Sequence, residues 1–211
     1  TARGVTRTYT YDDLGRLTRT QEALGYQMLY EYDGNGNRTA MTDARNNRTT
    51  YSYDAANRVT QVTYPDNTTT SATYNYRGQK LTETDQNNRT TSYEYDRNGR
   101  LTKVTHPDAT FTTTTYDDLG RVLTQTDERG NTTRTEYDPG CSCSGRVTKV
   151  IDALNRFTQS KYDAAGRLVS QTTPQGVTTK TYDLAGRETV SQTAGGITAS
   201  TRWPAFNLWR I

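Results

Sequence analysis

Apolar and aromatic residues along this chain occur singly or in pairs between threonines, and no window has them at helical spacing over three turns. Segments such as RVTQVTY (58–64) and TTSYEY (90–95) are rich in threonine, tyrosine and valine, which favour strands. Clusters of Asp, Asn, Gly and Pro bound these segments. The pattern predicts strands of about five to eight residues joined by turns, two strands per repeat, and almost no helix.

The turn signals recur with a fixed period, which is the mark of a repeat protein. A tyrosine opens each copy, and the first seven of these tyrosines are 21 residues apart. The next gap is 25 residues, because four residues are inserted, and the following gap is 20. We therefore predict a single array over residues 1–211, with nine copies, a degenerate tenth at 203–211 and an insertion loop at 139–145. The repeat tyrosines are Tyr11, Tyr32, Tyr53, Tyr74, Tyr95, Tyr116, Tyr137, Tyr162 and Tyr182.

In each copy, two of the residues that follow the tyrosine are of types that favour turns. The next residue is aspartate in most copies, and we expect it to accept backbone N–H bonds in an Asx-turn. Four residues after the tyrosine comes glycine, or Asn57 in one copy, and after the insertion Gly145 takes this role. Both residue types tolerate positive φ, so a left-handed backbone is expected there. The turn glycines are Gly15, Gly36, Gly78, Gly99, Gly120, Gly145, Gly166 and Gly186.

The strand after this turn departs from simple alternation. Its apolar residues lie three positions apart, as in the pairs Val59/Val62 and Leu101/Val104. Strict alternation would place each pair on opposite faces of the sheet, so we predict a β-bulge in this strand.

The number of strands limits the architecture. Two strands per copy give about 18 strands, and twisted open sheets rarely exceed about 10 without curling or dividing. We predict an all-β fold in which tandem hairpins form a continuous, curled or spiral antiparallel sheet. The alternative is a β-propeller with two copies per blade. The continuous sheet is favoured because the two halves of such a blade would be alike.

The composition is polar for a folded protein. Only 31% of the residues are hydrophobic, and the mean hydropathy is −0.98. The strict period argues against disorder. It favours a sheet with at least one solvent-exposed face that is stabilised by side-chain pairs between neighbouring strands. The chain has 16 tyrosines and 3 phenylalanines, which fits rings that pack while their hydroxyls reach water. Each hairpin is expected to be completed by its neighbours.

Charge and hydropathy exclude some partners. The 26 basic and 23 acidic residues are interspersed, with a net charge of +3 and no basic run, so we expect no nucleic-acid partner. No stretch approaches the roughly 20 apolar residues of a membrane span. The chain begins with Thr1 in the middle of a copy, and we expect it to be an internal piece of a longer protein.

Candidate catalytic residues are scarce. His106 is the only histidine, and we interpret it as a turn residue in the segment THPDA. No nucleophile-elbow motif accompanies it. The repeated aspartates are interpreted as structural, with calcium binding at the turns as the alternative. We predict no enzymatic activity, no cofactor and no metal site.

Two cysteines, Cys141 and Cys143, lie in the glycine- and serine-rich insertion. They are compatible with a disulfide in the loop or a crosslink between molecules, with a metal site, or with a plain exposed loop. Structural zinc usually takes four ligands, so two thiolates alone make a weak metal site.

The most apolar stretch of the chain is WPAFNLWRI at 203–211. We predict that it forms an interface, covering a sheet edge or docking on another copy or subunit. Its apolar residues are Trp203, Phe206, Leu208 and Trp209.

The motif Tyr-Asp-x-x-Gly-Arg-Leu-Thr, as in YDDLGRLT (11–18), resembles the YD repeat, also called the Rhs repeat, and the resemblance covers essentially the whole chain. It implies a spiral sheet that forms a hollow shell. Such shells enclose a C-terminal toxin domain in bacterial Rhs and toxin-complex proteins, and belong to a cell-surface ectodomain in teneurins. Family shells are several times longer than this chain, and the self-cleaving closure motif of the family is not recognisable here. The resemblance therefore implies only a part of the shell wall for this chain.

The leading hypothesis is a non-catalytic shell or scaffold segment of a large secreted or surface-displayed protein. Its expected partners are further YD repeats of the same parent chain or copies of itself, and an enclosed toxin domain. A second hypothesis is an extracellular filament built by head-to-tail stacking. A third is an adhesion module that binds glycans.

Overall fold

The computed structural model describes residues 6–22, 25–139, 145–193 and 197–200. Every regular element in these ranges is a β-strand, which confirms the all-β prediction. The chain divides into two compact units, Thr1–Thr110 and Phe111–Ile211. The described ranges contain no helix long and apolar enough to cross a membrane.

The first unit contains ten described strands, each paired antiparallel with the next along the chain. This order confirms the prediction of tandem hairpins. The strands are β1 (Arg7–Tyr11), β2 (Leu17–Glu22), β3 (Gln27–Tyr32), β4 (Arg38–Thr42), β5 (Arg48–Tyr53), β6 (Val59–Thr63), β7 (Thr69–Tyr74), β8 (Lys80–Thr84), β9 (Thr90–Tyr95) and β10 (Leu101–Thr105).

The second unit follows the same plan with nine described strands, again antiparallel in chain order. They are β11 (Phe111–Tyr116), β12 (Val122–Thr126), β13 (Thr132–Tyr137), β14 (Val147–Ile151), β15 (Phe157–Tyr162), β16 (Leu168–Thr173), β17 (Gly176–Tyr182), β18 (Glu188–Thr193) and β19 (Ile197–Ser200).

Most turns share one hydrogen-bond pattern. In the first Tyr-Asp turn, the Gly15 amide donates to the Asp12 carbonyl at 2.9 Å, and the Asp12 amide donates to the Arg16 carbonyl at 3.0 Å. This pattern belongs to a three-residue hairpin loop that ends in a left-handed residue. The turns halfway along each copy have the same pattern, with the left-handed position filled by Gly25, Asn46, Asn67, Asn88, Ala109, Gly130 and Asn155.

One connection differs and explains an irregular spacing. Between β16 and β17, Thr173 pairs directly with Gly176, which leaves only Pro174 and Gln175 in the loop. The loop is one residue shorter than the others. This accounts for the 20-residue gap between Tyr162 and Tyr182.

The predicted β-bulge is confirmed. In β6, Val59 lies opposite Tyr53 and Gln61 lies opposite Ser52, so Thr60 has no partner on β5. The shift brings Val62 opposite Tyr51. Because successive side chains of a strand alternate between faces, Tyr51 and Tyr53 share a face. Both valines therefore lie on that face too.

The sheet of each unit thus has two different faces. The tyrosine face is the one that carries the repeat tyrosines. The threonine face is the opposite one, and in the first unit it includes Thr73 and Thr82, whose Oγ1 atoms are 2.6 Å apart. Ala40, with 1% exposure, is the one described residue that is fully buried. In the described part of the chain, the fold is held by pairing between strands, without a thick core.

Candidate functional site: contacts between successive repeats

Each repeat aspartate organises its own turn. The Asp54 Oδ1 atom accepts from the amides of Ala56 (2.9 Å) and Arg58 (3.1 Å), and Oδ2 accepts from Arg58 Nε (2.7 Å). The predicted Asx-turn is therefore confirmed, with an ion pair added. The same three bonds occur at Asp12, Asp96 and Asp117.

These hydrogen bonds keep the carboxylates charged. The pKa of Asp54 is lowered chiefly by the hydrogen bond from the Arg58 side chain, then by the Arg58 amide. The pKa of Asp12 is lowered chiefly by the Arg16 amide. Donors that point at an ionised carboxylate favour that form. The turn and the adjacent arginine are thus electrostatically coupled.

The arginine of one copy also reaches the next copy. Arg58 Nη1 donates to the backbone carbonyl of Asn75 at 3.0 Å, and its Cζ lies 4.7 Å from the ring centroid of Tyr74. The guanidinium thus holds Asp54 of its own copy and stacks on the ring of the following one. Equivalent Cζ-to-ring distances are 5.0 Å for Arg16 and Tyr32, 4.4 Å for Arg121 and Tyr137, and 4.8 Å for Arg167 and Tyr182.

The repeat tyrosines bond backward to the preceding copy. The Tyr74 hydroxyl donates to the Val59 carbonyl at 3.1 Å. The bonds from Tyr32 to Leu17 (2.9 Å), Tyr53 to Arg38 (2.7 Å), Tyr95 to Lys80 (2.9 Å), Tyr137 to Val122 (2.9 Å), Tyr162 to Val147 (3.1 Å) and Tyr182 to Leu168 (2.7 Å) are equivalent.

The bulge explains why the Val59 carbonyl takes its hydrogen bond from a side chain. The pairing of β6 with β7 ends at Gln61 and Ser71, so Val59 lies beyond the last paired residue. A carbonyl that is withdrawn from water, even in part, and has no donor is costly, and the Val59 carbonyl is partly buried. The Tyr74 hydroxyl supplies that donor, and the tyrosine thereby joins two copies.

Two copies replace the arginine by an amide and still contact the next copy. Gln79 Nε2 donates to the Gly99 carbonyl at 2.7 Å. Asn37 Nδ2 donates to Asp33 Oδ2 at 2.9 Å and to Asn57 Oδ1 at 2.7 Å. Sequence reasoning missed these amides, because the repeat motif Tyr-Asp-x-x-Gly-Arg-Leu-Thr has arginine at this position. Their place immediately after the turn glycine was the available signal.

The structure places the other sequence candidates as follows. All eight turn glycines have φ between 54° and 87°. The amide of His106 donates to the Thr110 carbonyl at 2.8 Å, which confirms it as a turn residue. The described ranges hold no group of three or more His, Cys, Asp or Glu suited to a metal ion. Cys141, Cys143, Trp203, Phe206, Leu208 and Trp209 lie outside the described residues.

Two turn glycines, when replaced by alanine, separate the effect of backbone strain from the effect of displacing a neighbouring arginine side chain. Gly166 and Gly186 have φ of 83° and 81°, and alanine at either position should destabilise the second unit by about 1–2 kcal/mol through left-handed strain. An added Cβ at Gly166 would also overlap the guanidinium of Arg146, whose Cζ lies 5.7 Å from the Tyr162 ring. At Gly186 the nearest atom would be Arg167 Nη1 at 3.7 Å, an ordinary contact.

We therefore expect Gly166→Ala to cost about 0.5–1 kcal/mol more than Gly186→Ala, the contribution of a cation–π contact. Urea unfolding followed by circular dichroism measures both variants. Equal losses would mean that the Arg146 stacking contributes nothing.

These contacts define a class of protein: a tandem β-hairpin repeat in which most of the described copies are joined to the next through an aspartate, an arginine and a tyrosine. A family model of the Teneurin YD-shell matches residues 2–140. The RHS Repeat model matches residues 144–178 and 162–198. The chain belongs to the Rhs/YD-repeat family, and the matches support a structural, shell-like role for its repeats.

Solved structures of toxin complexes are similar to this chain in part. The crystal structure of TcdB2-TccC3-Cdc42 matches with a TM-score of 0.48 and 15% identity, over 88% of this chain and 13% of that one. A mutant Photorhabdus luminescens Tc holotoxin pore matches with the same TM-score and identity, over 88% of this chain and 12% of that one. This chain therefore spans about an eighth of those chains. No curated protein matches it in sequence.

Proposed function

We propose that this chain is a non-catalytic wall segment of a large secreted or surface-displayed protein. The observation that carries the proposal is the mutual completion of neighbouring copies. Arg58 stacks on Tyr74 of the following copy, and Tyr74 donates to the Val59 carbonyl of the preceding one. A single hairpin would leave both groups without partners. Within a unit, neighbouring copies therefore function together.

The chemistry of the charged residues supports a structural role. The repeat aspartates accept hydrogen bonds from turn amides and arginines, which hold their pKa values low. A general acid or base needs a pKa near the working pH. The pKa values of these carboxylates are shifted downward, away from neutral pH, so the carboxylates stay ionised.

We further propose that additional repeats of the parent protein complete a shell around a C-terminal toxin domain. Membership of the Rhs/YD-repeat family supports this extension. The experiment is electron microscopy of the full parent protein, combined with limited proteolysis. We expect closed particles in which the downstream domain is cleaved much more slowly than the same domain expressed alone. Equal cleavage rates would contradict enclosure.

A filament is the second candidate, because the contacts between copies are of a head-to-tail kind. Arg58 of one copy stacks on Tyr74 of the next, and Tyr74 donates back to the Val59 carbonyl. Head-to-tail contacts that do not close on themselves can extend from one molecule to another. Electron microscopy of the purified 211-residue chain separates the two candidates. Continuous rods that lengthen with protein concentration would support the filament and contradict the wall segment.

A further inference from the structure

The tyrosine face of the first unit carries a second row of tyrosines, two residues before the repeat tyrosines. Its members recur every 21 residues as Tyr9, Tyr30, Tyr51 and Tyr93, and the place between the last two is taken by Ala72. The registers are equivalent, since Tyr51 lies opposite Val62, Ala72 opposite Glu83 and Tyr93 opposite Val104. One ring is therefore missing from an otherwise regular row.

An open cavity of about 190 Å³ lies beside Ala72 on this face. An enclosed cavity of about 150 Å³ binds benzene in an engineered protein, so the volume of this open cavity is sufficient for a single ring. Residues that line it include Val59, Val62, Ala72, Tyr74, Lys80 and Glu83.

The cavity combines an apolar wall with one polar side. Val59 and Val62 lie on the tyrosine face and supply apolar surface. On the other side, Lys80 Nζ and Glu83 Oε2 are 2.9 Å apart. The Tyr93 hydroxyl of the next copy donates to this same Glu83 oxygen, at 3.4 Å. Glu83 thus already receives one phenol hydroxyl.

We propose that the cavity at Ala72 binds one phenolic ring, presented by a tyrosine of another polypeptide segment. The first unit itself indicates the occupant, because the equivalent position of its four other copies holds tyrosine. The ring would pack on Val59 and Val62, and its hydroxyl would donate to Glu83, as that of Tyr93 does. This inference is independent of whether the parent protein forms a shell or a filament.

The probes for this site are p-cresol, which is the tyrosine side chain alone, and N-acetyltyrosinamide. Both should produce saturable methyl shifts in NMR spectra of the 211-residue chain, at Val59, Val62 and Ala72. Methyl β-D-glucoside is the comparison ligand that tests for binding of a sugar ring, and we expect no saturable shift from it. Absence of saturable shifts with both phenols, or equal binding of the glucoside, would overturn the proposal.

Ala72→Tyr fills the cavity from within the chain. It should weaken p-cresol binding at least tenfold and leave the melting temperature equal or higher. Ser52→Tyr is the matched control, because Ser52 lies one residue from Tyr51 and Tyr53 and therefore on the threonine face. It should leave p-cresol binding unchanged. Binding that persists in Ala72→Tyr, or a clear fall in its melting temperature, would show that the cavity does not fit a phenolic ring.

Discussion

Replacing Tyr74 by alanine should lower the free energy of unfolding of the first unit by about 2–3 kcal/mol, which is below the 3–5 kcal/mol of a fully buried ring. The variant loses a half-buried ring that stacks on Arg58, with 4.7 Å between Cζ and the centroid. It also leaves the Val59 carbonyl without its donor. Both losses occur at the boundary between copies, so the damage should extend to the neighbouring hairpins.

Tyr76→Ala is the matched control, only two residues away. Tyr76 lies in the turn and is 87% exposed, and its hydroxyl contacts the neighbouring Arg77 alone among the described bonds. Its replacement should change stability by less than about 0.5 kcal/mol, as for other surface sites. Urea unfolding monitored by circular dichroism measures both variants. Similar losses for Tyr74→Ala and Tyr76→Ala would contradict the role of Tyr74 as the link between copies.

Tyr74→Phe separates the hydroxyl from the ring. Phenylalanine keeps the stacking surface for Arg58 and removes only the bond to Val59. The expected cost is about 1 kcal/mol, the usual contribution of one hydrogen bond. A cost equal to that of Tyr74→Ala would mean that the ring itself does not contribute.

The second large effect expected is acid unfolding. Thirteen described aspartates have a lowered pKa: Asp12, Asp33, Asp43, Asp54, Asp66, Asp85, Asp96, Asp108, Asp117, Asp127, Asp152, Asp163 and Asp183. Their folded-state pKa values lie below the unfolded value of about 3.9. At low pH the unfolded chain therefore binds more protons than the folded one. The stabilisation is complete above about pH 5 and is lost as the pH falls through the folded-state values.

We expect the urea midpoint to be nearly constant between pH 7 and pH 5, and to fall steeply between pH 4 and pH 2. Each turn contributes a small part, and the repetition makes the sum large. Unfolding curves across this range provide the measurement. A midpoint that does not change down to pH 2 would contradict the assignment of the aspartates as the acid-sensitive groups.

The chain contains a natural template for the control. Asn75 occupies the aspartate position of its copy, and its Oδ1 accepts from the amides of Arg77 (2.9 Å) and Gln79 (3.1 Å). Asparagine can therefore form this turn without titrating. Asp54→Asn should be less stable at pH 7, because the ion pair with Arg58 is lost, and its stability should depend less on pH. An unchanged pH dependence would exclude Asp54 from the acid response.

Local features of the fold could be predicted from the sequence. Strand positions, left-handed turn residues and the Asx-turn depend on residues within about five positions of one another. The bulge at Thr60 could also be inferred, because Val59 and Val62 reach one face of the sheet only if one residue is extra. The assignment of His106 to a turn followed from its place beside Pro107.

Contacts between copies were much harder to predict. The bond from Tyr74 to the Val59 carbonyl spans 15 residues and exists because the bulge ends the pairing of β6 with β7. The amides of Gln79 and Asn37 contact the next turn in the place of arginine. Neither relation is visible in a pattern of residue types, since both depend on the register of three strands.

The amino-acid sequence by itself determined the repeat, its 21-residue period and the left-handed residue of the Tyr-Asp turns, because turn chemistry is local. The tertiary structure alone decided which atoms join one copy to the next, and where the row of tyrosines has a gap at Ala72. The physical reason is that hydrogen bonds and ring contacts require distances of a few ångströms. Such distances arise only when antiparallel pairing and the bulges have set the strands side by side.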